Sequence, residues 1–309
     1  MTSTWKLREW LTLSLALLCL VPMISSAVAL IAGAAIANLN LHSRQFNTAL
    51  WTKKLLAISV VGLGFGIELN TAITLTQNNI GLILSSIVIT LVFGWGITRL
   101  LGLDKKTGYL IASGTAICGG SAIAATAPSI NASNSQASLA LAVVFLLNTF
   151  ALFVFPFFGH LLELTQMQFG IWSAIAIHDT SSVVGAASAY GDEALLVATT
   201  LKLARALWIV PLAFFSAWLF KSKDSQFKLP WFIGAYIAVL IFVHFVPQLG
   251  ELYSAIFFVA KRLLVVCLFF VGFGLSHEGL KRAGSKALLL GLSLWAIISG
   301  GSLFYIINS

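Results

Sequence analysis

Residues 80–98 carry no charged side chain, and runs of this kind recur along most of the chain. Hydrocarbon offers no water to pair a free N–H or C=O, so a segment that spans it must satisfy its own backbone as a helix or close into a barrel. Barrel strands are short and alternate in polarity. These runs are long and continuously apolar, so the chain reads as helical. Composition agrees, with 59% of the 309 residues hydrophobic and 9% charged, against about 25% charged in a soluble domain. Apolar segments cover residues 11–39, 55–68, 80–101, 108–128, 135–158, 169–190, 194–220, 230–246, 255–275 and 287–307. The expectation is an all-α membrane protein of about 10–11 transmembrane helices in a single domain, 1–309, since no polar stretch is long enough for a soluble one.

The net charge of +8 falls in small groups between the apolar runs rather than on one face, which argues against nucleic acid and for cytoplasmic loops. Arg44, Lys53 and Lys54; Arg99, Lys105 and Lys106; Lys221, Lys223 and Lys228; and Lys281, Arg282 and Lys286 count to one side, with Glu68, Asp192, Glu193 and Glu251 opposite and Lys261 and Arg262 the exception that an inverted repeat requires. Lys6 and Arg8 precede an apolar run as in a signal peptide, but apolar sequence continues to Leu39, which favours a retained membrane segment. Pro22, Ser25 and Ser26 interrupt that segment, which reads equally as one tilted helix or two short ones. Cys19 and Cys267 read as packing residues, and Cys118 either packs or lines a site.

Two segments are built to break. Residues 114–128 read Gly-Thr-Ala-Ile-Cys-Gly-Gly-Ser-Ala-Ile-Ala-Ala-Thr-Ala-Pro. Here Gly114, Gly119 and Gly120 weaken the helix beside the hydroxyls of Thr115, Ser121 and Thr126. Residues 177–187 read Ile-His-Asp-Thr-Ser-Ser-Val-Val-Gly-Ala-Ala. A charged group at a helix centre costs roughly 2.5–3.5 kcal/mol on insertion scales, so His178 and Asp179 point to function, while Asp179 also suits the cap of a half-helix. A half-helix N-terminus is in turn a place for an anion. Lys202 and Arg205 share one helical face, and Lys202 lies roughly 15 Å from the helix start at Asp192, too deep to reach the interface comfortably. They either neutralise Asp179 or attract an anion. Asn148, deep in its own span, reads as interhelical glue.

Lys53-Lys-Leu-Leu leading to Gly64-Phe-Gly recurs as Lys261-Arg-Leu-Leu leading to Gly272-Phe-Gly. With an odd number of crossings between the copies, the chain reads as an inverted repeat with two broken helices meeting near the midplane, a plan of secondary transporters. An enzyme is not expected, because Ser182 beside His178 and Asp179 on one helix cannot form a nucleophile–base–orienter geometry. No metal cluster or nucleotide loop stands out, so neither metal nor cofactor is expected.

At these residues the chain resembles a known family of bacterial membrane proteins, the YeiH family, described as sulfate exporters. The resemblance rests on the two stretches above, on Lys202-x-x-Arg205 with Pro211, and on Lys261-Arg-Leu-Leu to Gly274, and covers nearly the whole chain. The chain departs from it after Gly274, reading Leu-Ser-His-Glu-Gly where Thr with Asp or Asn is expected. The resemblance implies a bacterial inner-membrane transporter, distantly similar to cation/proton antiporters with crossed broken helices, one bundle moving against a scaffold in an elevator mechanism. The expected function is carriage of a small anion, sulfate or a related sulfur-containing anion, by alternating access. Thr115, Cys118, Gly119, Gly120, Ser121, Thr180, Ser181, Ser182, Lys202 and Arg205 are the expected substrate-binding residues. His178 and Asp179 are the expected proton-coupling pair. The other open reading is a cation/proton antiporter that uses Asp179. Expected partners are the substrate, protons and membrane lipid, with room for a homodimer.

Overall fold

The computed structural model describes residues 3–24, 26–39, 48–220, 231–272 and 284–308. His42, Arg44, Lys221, Lys223, Lys228, His277, Lys281, Arg282 and the second Gly-Phe-Gly beyond Gly272 lie outside the described residues. Every regular element among the described residues is helical. In chain order the α-helices are α1 Ser3–Leu18, α2 Ser26–Asn38, α3 Thr48–Leu63, α4 Leu69–Leu100, α5 Lys105–Ala116, α6 Gly120–Ser129 and α7 Asn134–Leu161. They continue with α8 Gln166–Ala176, α9 Thr180–Tyr190, α10 Asp192–Ala206, α11 Ile209–Leu219, α12 Trp231–Phe245, α13 Gly250–Gly272 and α14 Ser285–Asn308. Among the described residues, five stretches are long and apolar enough to cross a membrane: Leu69–Leu100, Ser135–Leu161, Asp192–Leu219, Pro247–Gly272 and Ser285–Asn308. Segment 11–39 resolves into two helices, the chain turning at Cys19–Ile24 around Pro22.

The chain forms two compact units, Met1–Ala72 with Pro230–Gly279, and Ile73–Leu229 with Leu280–Ser309. In the first, α3 and α13 run antiparallel. The Cys267 thiol donates to Thr52 O at 3.4 Å, while a methyl on Gly62 would collide with Ala260 and one on Gly66 with the Phe257 ring. Partners thus advance along α3 as they retreat along α13. Helix α2 presses on α13 just as closely, Gly33 lying against the backbone of Phe269 and Gly272, where any side chain would force the helices apart. In the middle of α13, Arg262 donates to Cys19 O at 2.7 Å, Leu20 O at 3.1 Å, Ile24 O at 3.0 Å and to Val21 O. The guanidinium closes the carbonyls that Pro22 and the α1–α2 turn leave without helical donors.

The second unit corrects an expectation. Segments 108–128 and 169–190 are interrupted, at residues 117–119 and 177–179, but neither crosses as a broken helix. Each turns back on itself. Lys106 Nζ, at the start of α5, donates to Asn131 O, just beyond α6, at 2.7 Å. A straight broken helix would hold those residues about 38 Å apart at 1.5 Å per residue. Likewise Tyr190 Oη, at the end of α9, donates to Leu164 O at 2.5 Å, and Glu193 N donates to Gln166 Oε1 at 3.0 Å. The chain therefore contains two helical hairpins, α5–α6 and α8–α9. Glycine and polar residues announce an interruption, but direction after it depends on which groups take up the freed N–H and C=O groups, and those lie elsewhere in the chain.

Helix α7 sets the hairpins against each other. It starts beside the base of the first, where Gln136 Nε2 donates to Asp104 Oδ2 at 2.7 Å, and ends beside the base of the second, where His160 stacks on Tyr190 at 4.4 Å. The two bases thus lie at opposite ends of a 28-residue helix. Each arm of 10–12 residues spans about 15–18 Å, half a hydrocarbon core of about 30 Å. Arms of that length reach about half-way along α7. Leu110, Ile111, Ile123, Val143, Val144, Leu147, Leu290 and Leu294 bury the first hairpin against α7 and α14.

Candidate functional site

The tips meet. A methyl placed on Gly119 would touch Cα and Cβ of Asp179 at 3.4 Å and Val144 at 3.2 Å. Gly119 has φ 62° and ψ −119°, a conformation that L side chains rarely adopt, so the backbone calls for glycine, and a methyl there would also crowd Val144. It precedes α6, whose N-terminus receives no side-chain cap. Cys118 is buried, within reach of Ser121 and Ala122 and within electrostatic range of Lys202 and Asp179. Gly120 is half-buried and Ser121 exposed, so the start of α6 is the accessible edge of the first tip. Thr115 is fully buried, and its Oγ1 makes no hydrogen bond among the described residues.

In the second tip, Asp179 caps α9. Its Oδ2 accepts from Ser181 N at 3.0 Å and from the Ser181 hydroxyl. Asp179 and Ser181 are half-buried, whereas His178, Thr180 and Ser182 are buried. Asn148, at the midpoint of α7, holds the tip: its Oδ1 accepts from the backbone N–H of both His178 and Asp179 at 3.2 Å. The cations of α10 go neither to Asp179 nor to the accessible edge. Lys202 Nζ donates to Ile177 O at 2.7 Å and Ala174 O at 3.3 Å, and Arg205 Nη1 to Ala174 O at 3.3 Å and to Ile175 O. Two fully buried cations thus close the carbonyl end of α8, where the helix dipole is negative. Thr126, by contrast, turns its hydroxyl back to Ala122 O and faces no site.

Thr115, Cys118, Gly119, Gly120 and Ser121 therefore share one tip, and His178, Asp179, Thr180, Ser181 and Ser182 the other, with Lys202 and Arg205 behind the second. Sequence reasoning missed Thr199. It lies on α10 one turn before Lys202, is 1% exposed, and its hydroxyl makes no hydrogen bond among the described residues. Its i, i+3 spacing from Lys202 was the available signal. No group of three or more His, Cys, Asp or Glu suited to a metal occurs among the described residues.

Two hairpins buried in a helical unit, with polar tips that meet, among helical stretches apolar enough to cross a membrane, make this a multi-pass helical membrane protein of a kind consistent with transport in general. Residues 11–291 match the family profile described as "Conserved hypothetical protein 698". The chain is 60% identical to a UPF0324 membrane protein of Photobacterium profundum, over 95% of this chain and 90% of that one. It is 54% identical to a UPF0324 membrane protein of Shewanella oneidensis, over 94% and 92%, and 53% identical to one of Vibrio parahaemolyticus, over 97% and 99%. The chain belongs to the UPF0324 membrane protein family. No solved structure matches it.

Proposed function

We propose that the protein is a secondary transporter of a small anion, sulfate or a related sulfur-containing anion, in the bacterial inner membrane, and not an enzyme. The observation that carries this reading is the meeting of the tips, which sets the uncapped start of α6 and the Ser121 hydroxyl beside the start of α9 with Thr180 and Ser181. Helix N-termini and hydroxyls together bind anions. Lys202 and Arg205 add positive potential from behind, where burial leaves it poorly screened. Two hairpins based at opposite ends of α7 form an inverted pair, a plan that suits alternating access. The unit that carries them is the mobile body of an elevator mechanism, and the other unit is the scaffold. Cysteine cross-links that fix the two units in either arrangement should then stop transport.

An anion leaving a cell with an inside-negative potential gains roughly 2.3 kcal/mol per charge per 100 mV. Export therefore needs no proton, while uptake does, and His178 with Asp179 would bind it. The test is uptake of labelled sulfate and small sulfonates into proteoliposomes, measured against sodium uptake under a pH gradient. Sulfur-anion flux without sodium flux supports the proposal. Sodium–proton exchange abolished by Asp179→Asn would establish the antiporter reading instead, which Asp179 favours as the one carboxylate among the described residues at the joined tips. In the anion carrier, Lys202→Ala should raise KM, whereas His178→Gln and Asp179→Asn should flatten the pH profile more than they weaken binding.

A further inference from the structure

Where the first hairpin begins, the chain folds around an open cavity that the transport reading does not use. Its volume is about 740 Å³, and Gly102, Asp104, Lys105, Lys106, Gln136 and Phe220 line it. That size falls within the roughly 300–1,000 Å³ of small-molecule sites. Local sequence shapes one wall. Gly102, at φ 59°, ends α4, its N–H donating to Arg99 O and that of Leu103 to Thr98 O at 3.1 Å each, and Asp104 at once caps α5. Two more helices close on this corner. Phe220, just past α11, packs on the Tyr109 ring at 5.1 Å, and Lys286, in the first turn of α14, brings Nζ to 3.9 Å from where a methyl on Gly102 would stand.

Charge at this cavity is one-sided. Lys105 and Lys106 line it, Lys286 stands beside it and Arg99 is three residues before Gly102, whereas Asp104, the lining carboxylate, is already engaged by Thr107 and Gln136. Lys106 donates to Asn131 O, but Lys105 and Lys286 are exposed, and their ammonium groups make no hydrogen bond or ion pair among the described residues. The surroundings select the kind of anion. Helix α4 is apolar and long enough to cross a membrane, so its end at Leu100 lies at the rim of the hydrocarbon, where Arg99 sits over the Trp95 ring at 4.0 Å, an aromatic–basic pair suited to an interface. Leu100, 85% exposed, lies two residues before Gly102, and Trp218 and Leu219, also exposed, lead into Phe220. A free phosphate ion would meet only the cations. A phospholipid sets its phosphate among the cations and its acyl chains on the apolar residues, as basic pockets between membrane helices do with anionic headgroups.

We propose that this cavity at the base of the first hairpin binds the headgroup of an anionic phospholipid, its phosphate held by Lys105 and Lys286. The bound lipid ties the α4–α5 corner to the ends of α11 and α14. The test is thermal unfolding of the purified full-length protein in an uncharged detergent at constant ionic strength, titrated with dioleoylphosphatidylglycerol, with dioleoylphosphatidylcholine or with inorganic phosphate. A ligand that binds only the folded state raises Tm in a saturable way. The expected result is a saturable rise with phosphatidylglycerol alone. Its midpoint moves to at least several-fold higher lipid in Lys105→Gln and Lys286→Gln, and stays in place in Lys54→Gln, an exposed lysine of the other unit. Both site lysines are exposed, so these variants keep the fold. An equal rise with phosphatidylcholine would overturn the proposal, as would a phosphatidylglycerol effect unchanged in both site variants or weakened as much in Lys54→Gln. Inorganic phosphate that matched phosphatidylglycerol would overturn the lipid as the source of the phosphate. Because the readout is stability and not flux, it stands apart from the transport assay.

Discussion

A single amide oxygen fixes the tip of the second hairpin. Asn148 supplies the acceptor for the N–H groups of His178 and Asp179, which lie in the break between α8 and α9. Asn148→Ala strands both, and should destabilise the protein by about 2 kcal/mol or more, read as a lower denaturation midpoint in detergent, with Asn148→Asp milder because it keeps the acceptor. Gly119 is constrained differently. Gly119→Ala places a Cβ in a backbone region that costs of the order of 1–3 kcal/mol and against Asp179 and Val144. It should abolish transport in proteoliposomes while leaving the protein folded by circular dichroism, since the strain sits in a three-residue tip. Both residues stood out in the sequence as polar or flexible groups at depth. What Asn148 bonds to did not, because 30 residues separate it from His178.

At the scale of elements, the hairpin bases carry the strongest check on the fold. Nitroxides at Lys106→Cys and Asn131→Cys should report a spin–spin separation below about 20 Å by electron paramagnetic resonance, where a crossing helix would give about 38 Å. The base of the first hairpin also titrates. Burial alone would raise the Asp104 pKa, but the N–H and hydroxyl of Thr107 and the amide of Gln136 outweigh it and hold the carboxyl below its usual range. The stabilisation from a depressed carboxylate is present above the unfolded-state value of about 3.9 and is lost as pH falls through the lower folded value. Unfolding midpoints should therefore drop on acidification below about pH 4, and Asp104→Asn should remove that part of the dependence. The capping boxes Ser133–Gln136 and Thr165–Gln168 were readable as spacing in sequence. The further bond from Gln136 to Asp104, which ties one hairpin to α7, was not.

At the scale of the molecule, the two hairpins should open to opposite sides of the membrane. In intact cells, a membrane-impermeant maleimide should label Glu163→Cys and Asp192→Cys but not Asp104→Cys or Asn131→Cys, if the positive-inside rule places the first base, with Arg99, Lys105 and Lys106, on the cytoplasmic side. Labelling of 104 together with 163 from one side would contradict the inverted arrangement. By itself the sequence determined that the chain is helical and membrane-embedded, since charge-free apolar runs leave the backbone no other partner, and it placed breaks within residues 114–128 and 177–187 through glycine and polar residues that weaken a helix. Only the tertiary structure decided that the chain doubles back at those breaks and that Lys202 and Arg205 close helix carbonyls. A break frees donors and acceptors without choosing their partners, and the groups that take them up, on α7 and α10, are distant in sequence and near only after folding.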